Sequence, residues 1–249
     1  MKALTFNNIN ALPFATEEAL NRLCINLCGY GDRFKKVMVT SSIPNEGKSF
    51  ISFHLARLLA SVGKRVVYVD GDIRMSESRA RYQISFADES HPSIEEYLAG
   101  QASMADIVYS TNIKNLYFVP TRCAVHNPVI LLQSPRFENL LNMLAEQYDY
   151  VILDTAPVLT VPDGIKLAPL CDGVILVVRS GVTSRYMVAD SVAQLNRASG
   201  EIIGTVLNRV ARRSSEYYYH YSYYEKESGR RHHKKTKKRL PSHTLAERK

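Results

Sequence analysis

The sequence lacks any run of about eighteen or more uninterrupted apolar residues, the length that a helix needs to cross a bilayer. We therefore predict no membrane span. Residues 1–13 also lack the basic stretch followed by an apolar run that marks a secretory signal. These absences predict a protein that stays in the cytoplasm.

Cysteine is scarce, with four residues in a chain of 249. Cys24, Cys28, Cys123 and Cys171 have neither the grouping of zinc ligands nor the density of a disulfide framework. We expect Cys24 and Cys28, one helical turn apart, to be small apolar residues of a helix. The scarcity excludes a disulfide-stapled secreted domain and agrees with a reducing cytoplasm.

The body of the chain has no net charge. Residues 1–210 contain 20 basic and 20 acidic residues, whereas residues 211–249 contain 12 basic and 4 acidic ones and so carry the whole net charge of +8. The apolar periodicity also stops at Ala211. We predict one globular domain over residues 1–210 and a flexible, disordered C-terminal tail over residues 211–249, rich first in tyrosine and then in basic residues.

Apolar segments alternate with amphipathic ones along the body, which predicts an α/β fold with a mostly parallel sheet and helices on both faces. Most predicted strands are apolar throughout, as expected when both faces of a sheet are covered. They span residues 36–41, 65–70, 115–119, 150–154, 173–179 and 202–208. We also predict a helix over about residues 16–28 and a mobile polar excursion over residues 76–92.

The first of these strands is followed by Ser42-Ile43-Pro44-Asn45-Glu46-Gly47-Lys48-Ser49 and then by a helical pattern. A strand, a loop ending in Gly-Lys-Ser and a helix are the context of a P-loop, although Ser42 stands where the strict pattern has glycine. Backbone N–H groups of the loop would surround nucleotide phosphates, Lys48 would supply charge to the β- and γ-phosphates, and Ser49 would ligate Mg²⁺. The sequence thus predicts ATP and Mg²⁺ as ligands.

Two further predicted strands end in carboxylates. Asp70 ends the strand 65–70 and Asp72 follows two residues later, and Asp154 ends the strand 150–154. Because the carboxyl ends of parallel strands meet at one edge of a sheet, we expect all three to face a triphosphate and its metal. Two carboxylates near Mg²⁺ would leave one free to accept a proton from an attacking hydroxyl. The sequence leaves open which one is the base.

Together these segments resemble the bacterial tyrosine kinases of capsule and exopolysaccharide synthesis, whose Walker A, A′ and B motifs read here SSIPNEGKS, VVYVDGDIR and VILDTAP. The family's Gly-x-hydrophobic-Leu-Asn-Arg, which flanks the adenine, corresponds to residues 204–209. The resemblance covers nearly the whole chain and implies a P-loop protein-tyrosine autokinase. It implies catalytic roles for Lys48, Asp70, Asp72 and Asp154, metal binding by Ser49, Asp72 and Asp154, and nucleotide contacts from Ser42, Pro44, Asn45, Glu46, Gly47, Lys48, Ser49, Phe50, Arg74, Asn208 and Arg209.

The tail contains six tyrosines within eight residues. The cluster has few aliphatic neighbours and no periodicity, so we interpret it as a set of phosphoacceptors rather than as a stacking surface for nucleic acid. Its members are Tyr217, Tyr218, Tyr219, Tyr221, Tyr223 and Tyr224. The basic segment over residues 229–239 could bind an anionic membrane surface, nucleic acid or an acidic partner.

The resemblance also implies partners: a membrane-anchored activator of the polysaccharide co-polymerase type, which would hold the chain at the inner face of the membrane, and a cognate tyrosine phosphatase. Self-association to a homo-oligomer stays open, because the family's Glu-x-x-Arg-x-x-Arg begins here at Glu18 but has Asn21 and Cys24 in place of both arginines. Two alternatives remain. One is a MinD/ParA-like ATPase, which would need a lysine at Ile43, and the other is a nucleotide-binding regulatory subunit without kinase activity.

Overall fold

The computed structural model describes residues 2–122, 128–132 and 134–211 of the chain. Its strands are β1 (Leu4–Phe6), β2 (Lys36–Ser41), β3 (Val66–Asp70), β4 (Ile84–Phe86), β5 (Tyr109–Ser110), β6 (Leu116–Val119), β7 (Tyr150–Asp154), β8 (Gly173–Arg179) and β9 (Ile202–Asn208). Within the described residues, seven of them form one sheet in the order β5-β6-β3-β7-β2-β8-β9. Neighbours in this sheet are parallel except β5 and β6.

The helices flank this sheet in chain order. They are α1 (Phe14–Gly29), α2 (Lys48–Ser61), α3 (Ser78–Arg81), α4 (Ile94–Leu98), α5 (Met104–Ile107), α6 (Pro128–Leu132), α7 (Pro135–Gln147), α8 (Asp163–Leu167) and α9 (Arg185–Arg197), with 3₁₀ turns at Gly31–Arg33 and Ala168–Leu170. The predicted α/β class is confirmed, and the helix predicted over residues 16–28 is α1.

Both faces of the sheet are covered. Val37 and Val39 of β2 belong to one buried cluster, which also contains residues of α1 and α2, whereas Met38 between them belongs to a second cluster with residues of α7 and α9. All three side chains are fully buried, and each such side chain stabilises the fold by about 1.5–3 kcal/mol. This double burial explains why the strands read as continuous apolar runs, and it confirms the predicted layering.

Helix α7 shows how local sequence sets an element that packs on the second face. The Ser134 side chain accepts a hydrogen bond from the backbone N–H of Arg136 at 3.3 Å, and Pro135 occupies the first turn, where its missing N–H costs nothing. Its buried side chains recur every three or four residues at Phe137, Leu140, Leu141 and Leu144. The helix therefore begins directly after a capping residue and buries one stripe of apolar side chains.

The prediction for residues 76–92 was wrong. This segment contains α3 and then β4, and β4 pairs antiparallel with β1 in a separate two-stranded ribbon, Leu4 opposite Phe86 and Phe6 opposite Ile84. The Phe6 ring makes edge contacts with Phe53, Tyr82 and Phe118. The segment is ordered by a partner near the start of the chain, which local periodicity does not record.

All of these elements belong to the compact unit Met1–Val210. Within the described part of the chain, no helix combines the length and the apolar character that a membrane span requires. From residue 212 onwards the predicted tail lies outside the described residues. The disorder of the tail and the roles of its tyrosines and its basic segment therefore stay predictions, as does the domain boundary.

Candidate active site

The predicted P-loop lies between β2 and α2. Gly47 is the N-terminal cap of α2, and its φ of +99° is in the left-handed region that favours glycine. The helix then begins at Lys48, so the first free N–H groups of a fourteen-residue helix lie beside the loop. Such a helix terminus carries a partial positive charge and binds phosphate groups. The local geometry is therefore that of an anion-binding loop.

The three predicted carboxylates meet at the same edge of the sheet. Asp70 ends β3 and lies directly opposite Asp154, which ends the neighbouring parallel strand β7. Asp72 follows two residues later, and all three are buried. Gly71 allows this close approach, because its N–H donates to Asp154 O at 2.8 Å and an added Cβ would lie 2.8 Å from the same oxygen.

Lys48 and Ser49 reach this carboxylate cluster from the P-loop. Lys48 Nζ lies 2.9 Å from Asp72 Oδ2 and 3.3 Å from Ser49 Oγ. On the far side, the Tyr68 hydroxyl donates to Asp154 Oδ2 at 3.3 Å. The structure thus brings together the lysine, the serine and all three aspartates that the sequence selected.

The charges in this cluster perturb one another. Burial and the neighbouring charge of Asp154 raise the pKa of Asp70 to about 8. Burial also raises the pKa of Asp154, against the opposing influence of Lys48 and Ser49. For Lys48, burial lowers the pKa, but the three carboxylates outweigh it and the net shift is upward. The lysine stays charged, and Asp70 can exchange a proton near neutral pH.

One oxygen each of Asp70 and Asp154, Oδ1 in both cases, is buried without a hydrogen-bond partner among the described residues. A buried carboxylate oxygen without a donor is costly unless a ligand completes it. Among the same residues, no group of three or more His, Cys, Asp or Glu side chains has metal-binding geometry. The unpartnered oxygens of Asp70 and Asp154 fit an ion such as Mg²⁺, which binds through one or two carboxylates together with substrate phosphates.

A second layer fixes the Walker A′ segment. The Ser76 hydroxyl donates to Asp70 Oδ2, and the backbone N–H of Met75 donates to Asp72 Oδ1 at 3.1 Å. Arg74, predicted to contact nucleotide, forms a bidentate ion pair with the buried Asp163 of α8, at 2.5 and 3.0 Å. Sequence reasoning missed Asp163, for which the only signal is its place at the start of the first helix after the Walker B strand.

Several predicted nucleotide residues instead direct their side chains into the protein. The buried Ser42 Oγ accepts a hydrogen bond from Ser191 Oγ at 2.8 Å. The buried Glu46 carboxylate accepts from backbone groups, and the Asn208 amide donates to the Glu46 carbonyl. Any contact of Ser42 or Glu46 with a nucleotide would therefore come from the backbone.

The remaining predicted residues lie at the rim of the loop. Pro44 and Asn45 are exposed, and Asn45 has a φ of +64°. Phe50 is half-buried, with its ring centroid 4.4 Å from that of His54. Arg209 is exposed immediately after β9. The six tail tyrosines lie outside the described residues.

Comparison with known proteins agrees with this geometry. The family model described as "AAA domain" matches residues 40–204. The tyrosine-protein kinase CpsD of Streptococcus pneumoniae is 34% identical over 194 residues, which cover 78% of this chain and 84% of CpsD.

Solved structures give the same result. The kinase domain of the Escherichia coli tyrosine kinase ETK superposes with a TM-score of 0.73 at 26% identity, covering 84% of each chain. The septum site-determining protein MinD of Pyrococcus horikoshii, solved with Mg-ADP, has a TM-score of 0.60 at 23% identity over 72% of each chain, a likeness of fold alone. With its P-loop, its three aspartates at the carboxyl edge of the sheet and these relatives, the chain belongs to the family of bacterial P-loop tyrosine-protein kinases.

Proposed function

We propose that this chain transfers the γ-phosphoryl group of Mg²⁺-bound ATP to tyrosines of its own C-terminal tail. The observation that carries the proposal is the convergence of a partly buried lysine and three buried aspartates beside the P-loop, with Lys48 Nζ 2.9 Å from Asp72 and with Asp70 opposite Asp154. Such a set can stabilise phosphate charge, hold a divalent ion and accept a proton. Membership of the tyrosine-kinase family supports tyrosine as the acceptor.

Ser49, Asp72 and Asp154 are the residues that would hold Mg²⁺ together with phosphate oxygens. Asp154 offers a buried oxygen, Oδ1, that has no hydrogen-bond partner in the described part of the chain. When bound, the ion neutralises charge on the phosphates. Lys48 adds a fixed positive charge, and we expect the phosphates to compete with Asp72 for its ammonium group, because both are anions within reach of one cation.

Geometry favours Asp70 over Asp72 as the proton acceptor. Asp72 is engaged on one oxygen by Lys48 and on the other by the backbone N–H of Met75. Asp70 Oδ1, by contrast, has no hydrogen-bond partner among the residues that the structure describes. In the proposed step the acceptor's phenolic oxygen forms a bond to the γ-phosphorus, the bond from that phosphorus to the bridging oxygen breaks, ADP leaves, and the phenolic proton passes to Asp70.

The proposed phosphate acceptors lie outside the residues that the structure describes, and the proposed partners are other proteins. The acceptors are Tyr217, Tyr218, Tyr219, Tyr221, Tyr223 and Tyr224. A role in capsular or exopolysaccharide synthesis and export would require a membrane-anchored activator and a cognate tyrosine phosphatase. The basic segment over residues 229–239 could add an interaction with an anionic membrane surface, and assembly of several copies would let one tail reach a neighbour's site.

Incubation of the purified full chain with Mg·ATP, followed by detection of phosphotyrosine, tests this function. The wild type should become modified, a variant with all six tail tyrosines changed to phenylalanine should not, and Lys48→Met should lose the signal. The control is Lys64→Met, which removes an exposed lysine beyond the far end of α2. An unmodified wild type that hydrolyses ATP would favour the MinD/ParA-like alternative, and one that only binds ATP would favour a regulatory subunit.

A further inference from the structure

The P-loop is held by contacts outside the Walker motifs. The Glu46 carboxylate accepts hydrogen bonds from the backbone N–H groups of Ile43 at 2.8 Å and of Arg179 at 3.1 Å, and from the hydroxyl of Thr183. The first of these closes the loop on itself, and the other two tie it to the last residue of β8 and to the segment that follows it. Glu46 is fully buried, and its carboxylate acts as an internal anchor of the loop.

Asn208, the last residue of β9, supplies the second anchor. Its Nδ2 donates to the backbone carbonyl of Glu46 at 2.8 Å, and its Oδ1 accepts from the backbone N–H of Arg209 at 2.8 Å. Its own carbonyl accepts from the N–H of Ser180 at 2.9 Å, which fixes the end of β9 against β8. Both polar ends of the side chain therefore have partners within the protein.

The same amide packs against the turn of the P-loop. A Cβ built on Gly47 would lie 2.2 Å from Asn208 Nδ2, so the two residues occupy contiguous space. Gly47 has the left-handed φ of +99° that turns the loop into α2. The side chain of Asn208 thus holds the carbonyl of Glu46 and fills the space beside Gly47, which are the two residues before Lys48.

We propose that Asn208 is a positioning residue that sets the conformation of the P-loop, so that its contribution to nucleotide affinity acts through the phosphates. The inference rests on the proposed function, since it takes the P-loop to be the nucleotide site. It differs from the role that the family resemblance implies, in which the asparagine flanks the adenine. One N–H of the Asn208 amide is committed to the Glu46 carbonyl and its oxygen accepts from Arg209, so these contacts tie the side chain to the P-loop. The amide has a second N–H donor, and the experiment must therefore separate an effect on the loop from a contact with the base.

The two roles predict different ligand dependence. Displacement of a fluorescent ADP analogue can compare Mg·ATP, Mg·GTP and Mg·tripolyphosphate, which has phosphates but no base. Asn208→Ala should weaken the binding of ATP and of tripolyphosphate by the same factor, about tenfold for the loss of one partly buried hydrogen bond. It should leave the ratio of the ATP and GTP affinities unchanged. Asn196→Ala, at an exposed position of α9, is the matched control and should change neither.

Two further variants guard against a general loss of structure. Asn208→Asp keeps the shape of the side chain but turns an oxygen toward the oxygen of the Glu46 carbonyl. It should therefore weaken the binding of tripolyphosphate more than Asn208→Ala does. Gly47→Ala should lose less affinity in the Asn208→Ala background than in the wild type, because the contact at 2.2 Å is then absent. Thermal unfolding run alongside confirms that each variant is folded at the assay temperature.

A loss confined to ATP, with tripolyphosphate unaffected, would show that Asn208 reads the base and would overturn the proposal. Strictly additive effects of Gly47→Ala and Asn208→Ala would also overturn it. So would a wild type that binds ATP but not tripolyphosphate, because phosphate contacts would then carry no measurable affinity. A wild type that binds neither would instead refute the P-loop as a nucleotide site, a failure of the proposed function that this comparison distinguishes.

Discussion

Lowering the pH from 7.5 to 5 should destabilise the wild-type domain by about 2 kcal/mol relative to a His54→Phe variant. His54 lies in α2 with 4% of its surface exposed, and its ring centroid is 4.4 Å from that of Phe50 and 5.4 Å from that of Phe53. Its Nδ1 has no hydrogen-bond partner among the described residues. Burial, together with the charge of Arg57, lowers the pKa of His54 from 6.5 to about 4.

The sign and size follow from this pKa. Between pH 6.5 and pH 4 the unfolded chain binds a proton at His54 that the folded chain does not bind, so acid favours unfolding. The stabilisation is complete above pH 6.5, and one pH unit corresponds to about 1.4 kcal/mol, which gives about 2 kcal/mol at pH 5. Asp70 acts in the opposite direction, because its pKa is raised to about 8 and acid therefore favours its folded form. Both proteins contain Asp70, so its effect cancels in the comparison.

Urea unfolding of the two proteins at several pH values between 7.5 and 5 measures the difference directly. Phenylalanine is the chosen substitution because it keeps an aromatic ring between Phe50 and Phe53. Arg57→Gln is the control: removal of that charge should raise the pKa of His54 and shrink the pH-dependent difference. If the free energies of unfolding of wild type and His54→Phe ran parallel with pH, His54 would titrate normally in the folded protein, and the reasoning from its burial would be refuted.

Three further predictions concern the active site. Lys48→Met should lower kcat by about 10²–10³-fold, because positioned charge stabilises the transferring phosphoryl group; unchanged steady-state kinetics would contradict this role. Asp154→Asn should lose the Mg²⁺-dependent part of ATP binding, whereas Asp70→Asn should still bind ATP and lose turnover. ATP titrations with and without EDTA measure this part, and an equal loss of binding in the two variants would remove the base role from Asp70. Asp163→Asn should break the ion pair with Arg74 and lower the free energy of unfolding by about 1–3 kcal/mol, and an unchanged urea midpoint would show that the pair contributes nothing.

The long strands could be predicted from sequence because their signal is local. β2, β7, β8 and β9 have the bounds predicted for them, and β3 and β6 begin one residue later than expected. Each is a run of apolar residues buried on both faces. Three strands were not predicted, namely β1, β4 and β5, and each has only two or three residues. β1 and β4 pair with each other across a long stretch of chain, and β5 forms a short antiparallel edge with β6. Such short segments carry no periodicity of their own.

The same limit applies to the site. Asp70 and Asp154 could be selected because each ends a strand, where parallel strands place functional residues, and Lys48 because it follows Gly47 at the junction of a loop and a helix. Asp163 and Thr183 could not, since nothing near them in sequence indicates an ion pair with Arg74 or a hydrogen bond to Glu46. Sequence therefore selected the residues that we propose to lie around the phosphates, and the structure was needed to find those that hold them in place.

The ribbon of β1 and β4 makes the first residues of the chain part of the active-site wall. The N–H groups of Asn7 and Asn8 both donate to the carbonyl of Tyr82, at the end of α3. At the other end of α3, the N–H of Ser78 donates to Ser76 Oγ, which in turn holds Asp70. A protein shortened to begin at Pro13 should therefore lose phosphotransfer as well as stability. For the same reason, a bulky tag fused ahead of β1 should alter the catalytic centre.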